Sequence, residues 1–230
     1  MLPDPIRFPV RRSAPRRASG RRDAGFTLIE LVTILAIVGI LVALAAASMR
    51  GYADNQRLNS SAREIATVFS YARGEAIRTG NVHLVYFMTD PDGNPLPNAA
   101  DAIVHDDGLI GSAGQNCTMD AGETTQDFDL ETGVGFGVNL ATAKVATDTG
   151  PAPLGASSFE DPDGNAASWV MFRPEGMPVA FAADCTTGTT GTGGGAIYLS
   201  NAQRDVAIVL SPLGATRTHS WDVGNAAWTQ

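Results

Sequence analysis

Glu30 is the only ionisable side chain in the run from Phe26 to Ala47, FTLIELVTILAIVGILVALAAA, which is 22 residues long. A charge held at the centre of a bilayer costs about 2.5–3.5 kcal/mol on insertion scales, and less near the interface. A carboxylate near the start of such a run therefore calls for a cationic partner. Two cysteines, Cys117 and Cys185, are the only thiols. In an oxidising compartment an even count favours one disulfide, with two free buried thiols as the alternative. The phrase Asp90-Pro91-Asp92-Gly93-Asn94 recurs as Asp161-Pro162-Asp163-Gly164-Asn165. It resembles short oxygen-rich calcium loops, but neither copy has a Glu at the twelfth position. Asp-Pro and Asp-Gly are also ordinary turn residues, and the turn is the better reading. Arg217 and His219 stand near Trp221 and Trp228, a cation with aromatics that could stack on bases. Against that, only one full positive charge is present.

His83, His105 and His219 stand singly, without Cys or His at ligand spacing, so no zinc or other metal site is expected. No G-x-S-x-G, P-loop or paired Cys/His signature occurs, and neither an enzyme nor a bound cofactor is expected. Thr186–Gly195, TTGTTGTGGG, reads as a mobile hairpin tip, because no Lys follows it to make a phosphate cradle.

The elements that position these residues follow from charge and periodicity. The chain of 230 residues carries a formal net charge of -8, unevenly placed. Residues 1–25 hold seven Arg against Asp4 and Asp23, while the remainder holds 9 basic and 22 acidic groups. A body that acidic repels phosphate and is a poor nucleic-acid binder by its overall field. Hydrophobic residues at 44% and charged residues at 17% exclude general disorder. The apolar run would span roughly 33 Å as a helix, enough for a bilayer core. The Arg-rich leader before it keeps the N-terminus cytoplasmic by the positive-inside rule and sends the acidic body outward. A secretory signal removed after Ala45-Ala46-Ala47 is the alternative, although the run exceeds the usual apolar core of about 7–15 residues.

Beyond the run, Leu58, Ala62, Ile65, Phe69, Ala72 and Ala76 recur at spacings of four and three, one stripe of a helix that Gly80 should stop. After Gly80 the period drops to two. Strands are expected over 81–88, 102–110, 168–173, 177–183, 196–200, 206–211 and 216–221, with a bent hairpin over 126–140. A helix followed by strands predicts an α+β domain.

Gly25-Phe26-Thr27-Leu28-Ile29-Glu30-Leu31, behind an Arg-rich leader and ahead of an apolar run, resembles the processing site of type IV prepilins and pseudopilins. Tyr71–Val82, YARGEAIRTGNV, and the stretch from Trp169 to Trp221, with FRPEG, a Cys, AIYLS and RDVAIVLS, resemble the GspH/FimT group within that family, whereas 89–166 fits it poorly. Gly74 stands where that group commonly has Ser.

The resemblance implies a long N-terminal helix, transmembrane and then amphipathic, packed against antiparallel β-sheets. It divides the chain into a cleaved leader at 1–25, a transmembrane half-helix at 26–47, an amphipathic half at 48–80 and an extracytoplasmic β-rich head at 81–230. It implies that prepilin peptidase cuts between Gly25 and Phe26 and that Phe26 is N-methylated. Glu30 would then pair with the terminal amine of a neighbouring subunit. The implied role is a minor pilin or pseudopilin at a filament tip, in type II secretion or in a type IV pilus. The implied partners are sibling pilins and the assembly platform of a bacterial inner membrane. Some FimT-like proteins bind DNA in natural transformation, the alternative role to which Arg217, His219 and Trp221 would belong. The leader is longer than is common in the family, so Met1–Pro15 can precede the true start.

Overall fold

The computed structural model describes residues 25–120 and 122–230, and the basic leader lies outside them, apart from Gly25. Helix α1 runs from Leu28 to Thr79. Two compact units divide the chain between Ala45 and Ala46. In the first unit the large apolar side chains of α1 are exposed, among them Leu28, Leu35, Ile40 and Leu44. Among the described residues no helix is long and apolar enough to cross a membrane. Of the expected span over 26–47, helix and side chains are both described only for Leu28–Leu44. At ~1.5 Å per residue that part rises roughly 26 Å, short of the ~30 Å of a hydrocarbon core.

The second unit holds the rest of α1 and all the strands. One five-stranded antiparallel sheet has the order β3 (Thr125–Phe128), β2 (Ala102–Leu109), β1 (Asn81–Phe87), β7 (Trp169–Phe172), β8 (Pro178–Val179). A second has the order β12 (Ala227–Thr229), β11 (Thr216–Asp222), β10 (Asp205–Leu210), β9 (Gly195–Ser200), β4 (Gly135–Phe136). The pair β5 (Phe159–Glu160) and β6 (Ala166–Ala167) stands apart.

The expected stripe on α1 is the core. Leu58, Ala62, Ile65, Phe69, Ala72 and Ala76 are buried and cluster with Val85, Phe87, Val104 and Phe172 of the first sheet. The same cluster includes Ile197, Leu199, Ile208 and Leu210 of the second. Phe69 lies at the junction, its ring edge-on to Phe87 at 5.4 Å and to Phe159 at 6.2 Å. The alternate residues of the strands are buried as well. On the first sheet Leu84, Tyr86, Ile103 and Met171 pack beneath Leu96, Ala100, Cys117 and Phe181. On the second, Tyr198, Ala207 and Val209 pack with Val145, Val138 and Leu154. The connecting segments thus form an outer layer over each sheet. That layer is why β1, β9 and β10 read as nearly continuous apolar runs.

Two docked turns lock the end of the helix. Arg73 donates from Nη1 to the carbonyl of Gly214 at 3.0 Å. Gly214 has a φ of 79°, and a Cβ there would come 2.8 Å from the Gly176 carbonyl, so only glycine fits.

Three expectations change. The segment 126–140 is not a hairpin: its two strands belong to different sheets, Phe128 pairing with β2 and Phe136 with β9, while both rings pack against the α1 core. The strand over 177–183 shortens to Pro178–Val179, followed by a turn that holds Cys185. The glycine run is not a free tip throughout. Gly193, Gly194 and Gly195 are buried, and a Cβ on Gly193 would stand 2.3 Å from the Pro178 backbone. These glycines let one backbone lie against another. The short strand β12 gave too brief a pattern to be expected from sequence.

Cys117 and Cys185 are bonded, 68 residues apart in sequence, with their Cα atoms 5.3 Å apart. Each lies in a segment that covers the first sheet, so the bond ties the two parts of that outer layer together. Loss of the cross-link by Cys117→Ser with Cys185→Ser should lower unfolding stability by about 2–4 kcal/mol, read from the urea midpoint of the chain in detergent. Phe69→Ala should cost more, about 3–5 kcal/mol, because Phe87 and Phe159 lose the same partner at the centre of the shared core. A loss under 1 kcal/mol would deny Phe69 its place at the junction.

Candidate functional site

The candidate assembly segment opens with Gly25–Thr27 in irregular backbone, and α1 begins at Leu28. Thr27 starts the helix by accepting the amide of Glu30 on Oγ1 at 3.3 Å, while its carbonyl accepts the amide of Leu31. This is the arrangement of a helix N-cap. Glu30 is exposed in the first turn, where the helix dipole favours a carboxylate. Phe26 is 76% exposed. Glu30 and Phe26 are thus four residues apart at the head of an apolar helix, both open to a second molecule.

The residues proposed for base stacking are arranged differently. Arg217, His219 and Trp221 share one face of β11, and Arg217 is exposed. His219 and Trp221 are each only 5% exposed. Trp221 packs edge-on against Trp228 at 5.3 Å, and Trp228 donates from Nε1 to the Ala143 carbonyl. His219 meets Thr147 at 3.2 Å, and burial followed by the charge of Arg217 pushes its pKa down. Burial suits the neutral ring, which leaves Arg217 as the exposed cation of the three. A cavity of about 300 Å³ lies between 143–147 and this face, lined by both indoles, which already meet each other edge to face.

The repeated Asp-Pro-Asp-Gly-Asn segments are turns of one design. Asp90 accepts the backbone amide and side-chain amide of Asn94, and Asp161 does the same with Asn165. Asp161 also accepts the amide of Asp163. Burial raises the pKa of Asp161, but these donors outweigh it and hold the carboxyl below its usual range. The leading carboxylate in each copy is committed to closing its own turn.

Three buried carboxylates that no local sequence pattern marks hold the outer layer. Asp205 is fully buried and accepts the amides of Asn139, Leu140 and Ala141. Asp148 accepts from Tyr198 Oη and Ser158 Oγ at 2.7 Å each and from the Gly150 amide, with Lys144 Nζ 3.6 Å away. Burial, together with that hydrogen bond to Asp148, pushes the Tyr198 hydroxyl pKa far up and keeps it a donor. Asp107 is fully buried and accepts the amides of Asn116 and Cys117 on Oδ1. Beside it, His105 Nε2 lies 2.6 Å from Glu123 Oε2.

The model of the prokaryotic N-terminal methylation motif matches residues 20–46. Type II secretion system protein H of Xanthomonas campestris pv. campestris is 35% identical over 80 residues, covering 34% of this chain. The match spans 46% of that relative, somewhat under half of its length. The crystal structure of the type IV minor pilin FimU of Pseudomonas aeruginosa aligns over 72% of this chain and 90% of that one, at 12% identity and a TM-score of 0.38. The chain thus carries the N-terminal methylation motif where its apolar helix begins, and over 80 residues it is similar to a protein of the GspH/FimT kind.

Proposed function

We propose that the chain is a minor pilin or pseudopilin, a structural subunit near the tip of a filament that serves type II secretion or a type IV pilus. It is made as a membrane-anchored precursor in the inner membrane, with the head outside the cytoplasm. Prepilin peptidase cuts between Gly25 and Phe26, and Phe26 becomes the methylated N-terminus. The sequence run 26–47 stays on the mature chain as the anchor and later packs among the helices of sibling pilins at the assembly platform.

The observation that carries this reading is the pairing of Glu30 with an apolar helix that its own chain leaves bare. Phe26, Leu28, Ile29, Leu35 and Leu41 are each at least 60% exposed. An exposed apolar surface of this extent requires lipid or other helices as its environment. Glu30 adds direction to the packing. Two charges withdrawn from water are tolerated only as a matched pair, so a carboxylate near the start of one helix and an α-amine at the start of the next fix the stagger between them. Apolar contact supplies the affinity and the ion pair the register. The resemblance to protein H and the methylation motif support the same reading.

Mass analysis of the mature N-terminus checks the first step. The expected product begins with methylated Phe26, and a mature start near Ser48 would instead mark a discarded secretory signal. Glu30→Ala should leave cleavage largely intact and abolish incorporation into filaments, scored by shearing and immunoblot. Normal incorporation of that variant would remove the pairing role.

A further inference from the structure

The strand β2 alternates, so Ala102 and Val104 face the helix while Ile103, His105 and Asp107 face the outer layer. Pairing of His105 with Thr125 sets the register with β3, and two residues further along it Glu123 comes opposite Asp107. The three side chains converge: one ligand-type atom of each lies within 4.8 Å of the others. His105 and Asp107 are fully buried, and the Glu123 side chain is 21% exposed, which leaves a path from solvent. The Tyr86 ring stacks beside His105 with centroids 6.4 Å apart and holds the imidazole plane, while its hydroxyl donates to the Cys117 carbonyl.

One oxygen in this cluster is unaccounted for. Asp107 Oδ1 takes two backbone amides, but Oδ2 has no partner although the residue is wholly buried. A buried carboxylate oxygen left bare is costly, and either a proton or a cation must answer it. No Lys or Arg bonds to any of the three side chains among the described residues. Two carboxylates and one neutral imidazole carry a formal charge of minus two, which a divalent ion cancels. A mixed set of one nitrogen and two oxygens suits a borderline ion such as Zn²⁺, whereas Ca²⁺ and Mg²⁺ prefer oxygen alone and more of it.

We propose that His105, Asp107 and Glu123 form a binding site for a divalent cation of the Zn²⁺ class. The ion would replace the proton between His105 Nε2 and Glu123 Oε2 and take Asp107 Oδ2 as its third ligand. It would fasten the 110–122 connection, which carries Cys117 and so the disulfide, to the outer face of the first sheet. Its role is structural, and it stands apart from the assembly segment at Glu30. Sequence spacing gave no metal signature because Glu123 is sixteen residues from Asp107 and reaches it only through the β2–β3 register.

Isothermal titration of the untagged full chain in detergent, stripped with EDTA and dialysed, tests the site with ZnCl₂ and separately with CaCl₂. The expected result is one Zn²⁺ per chain with a raised melting temperature. Loss of one ligand in Asp107→Asn or Glu123→Gln should weaken binding by at least about 10–100-fold, the loss seen even for supporting groups. Asp163→Asn, in the exposed turn, should bind as the native chain does. Far-UV circular dichroism and an intact disulfide establish that each variant is folded, and Glu123→Gln, partly exposed, is the variant less prone to misfold. No stoichiometric Zn²⁺ uptake by the native chain, equal uptake by both folded ligand variants, or tighter binding of Ca²⁺ than of Zn²⁺ would overturn the proposal.

Discussion

Everything in the head depends on a single stripe of one helix serving two sheets. Between Leu58 and Ala76 the inward positions of α1 are buried to 2% exposure or less. They meet β1, β2 and β7 on one side and β9 and β10 on the other. The sheets also touch each other where Phe87 of β1 meets Phe136 of β4 edge-on at 6.4 Å, in the same cluster as the helix residues. The stripe sets the sizes it can accept: Ala62, Ala72 and Ala76 let strands approach, and Phe69 fills the wedge where the sheets diverge. A helix so used cannot slide or turn relative to its sheets without opening voids on both sides at once. That rigidity contrasts with residues 28–44 of the same helix, whose apolar side chains are solvated in the isolated chain. One helix thus carries two apolar surfaces, the first satisfied internally and the second available to other molecules.

Much of this was legible because it is periodic. The stripe from Leu58 to Ala76, the stop at Gly80 and the strands β1, β2, β7, β9, β10 and β11 fall within a residue or two of their expected limits. Periodicity reports how a segment meets one large partner. It does not report a segment that meets several small ones. Residues 126–140 looked like a hairpin because they alternate, yet Phe128 and Phe136 belong to different sheets. The glycine run at 186–195 looked free because it is low in complexity, only Thr and Gly. Its buried glycines are there because side chains would not fit between Pro178, Thr149 and Phe159.

The chemistry-bearing residues divide along the same line. Glu30 was conspicuous because its neighbours are so uniformly apolar, and local contrast is visible in a sequence. Arg217, His219 and Trp221 also stood out locally, but their alternation on β11 turns two of them under the 143–147 segment. Alternation along a strand such as β11, which lies between β12 and β10, carries no mark of which face a distant loop will cover. The burial of His219 and Trp221 is that of packed side chains, while Arg217 is exposed.

The outer layers rest on three aspartates that no local pattern singles out. Asp205 and Asp148 show how a buried carboxylate is made tolerable: each gathers at least three donors, Asp205 from the successive amides of 139–141 and Asp148 from Tyr198, Ser158 and Gly150, and so turns a loop into fixed structure. Asp107 follows the same plan on one oxygen only. Its pKa is pushed up by burial, while the two amides on Oδ1 pull it down. The structure thus withholds on Oδ2 the donors it provides at the other two sites, although Cys117 next to it is fixed by a disulfide and has little freedom to adjust. If all three aspartates do the same work, pinning a covering segment to the strand beneath, the third lacks one partner. His105 and Glu123 are placed where such a partner would find its remaining ligands.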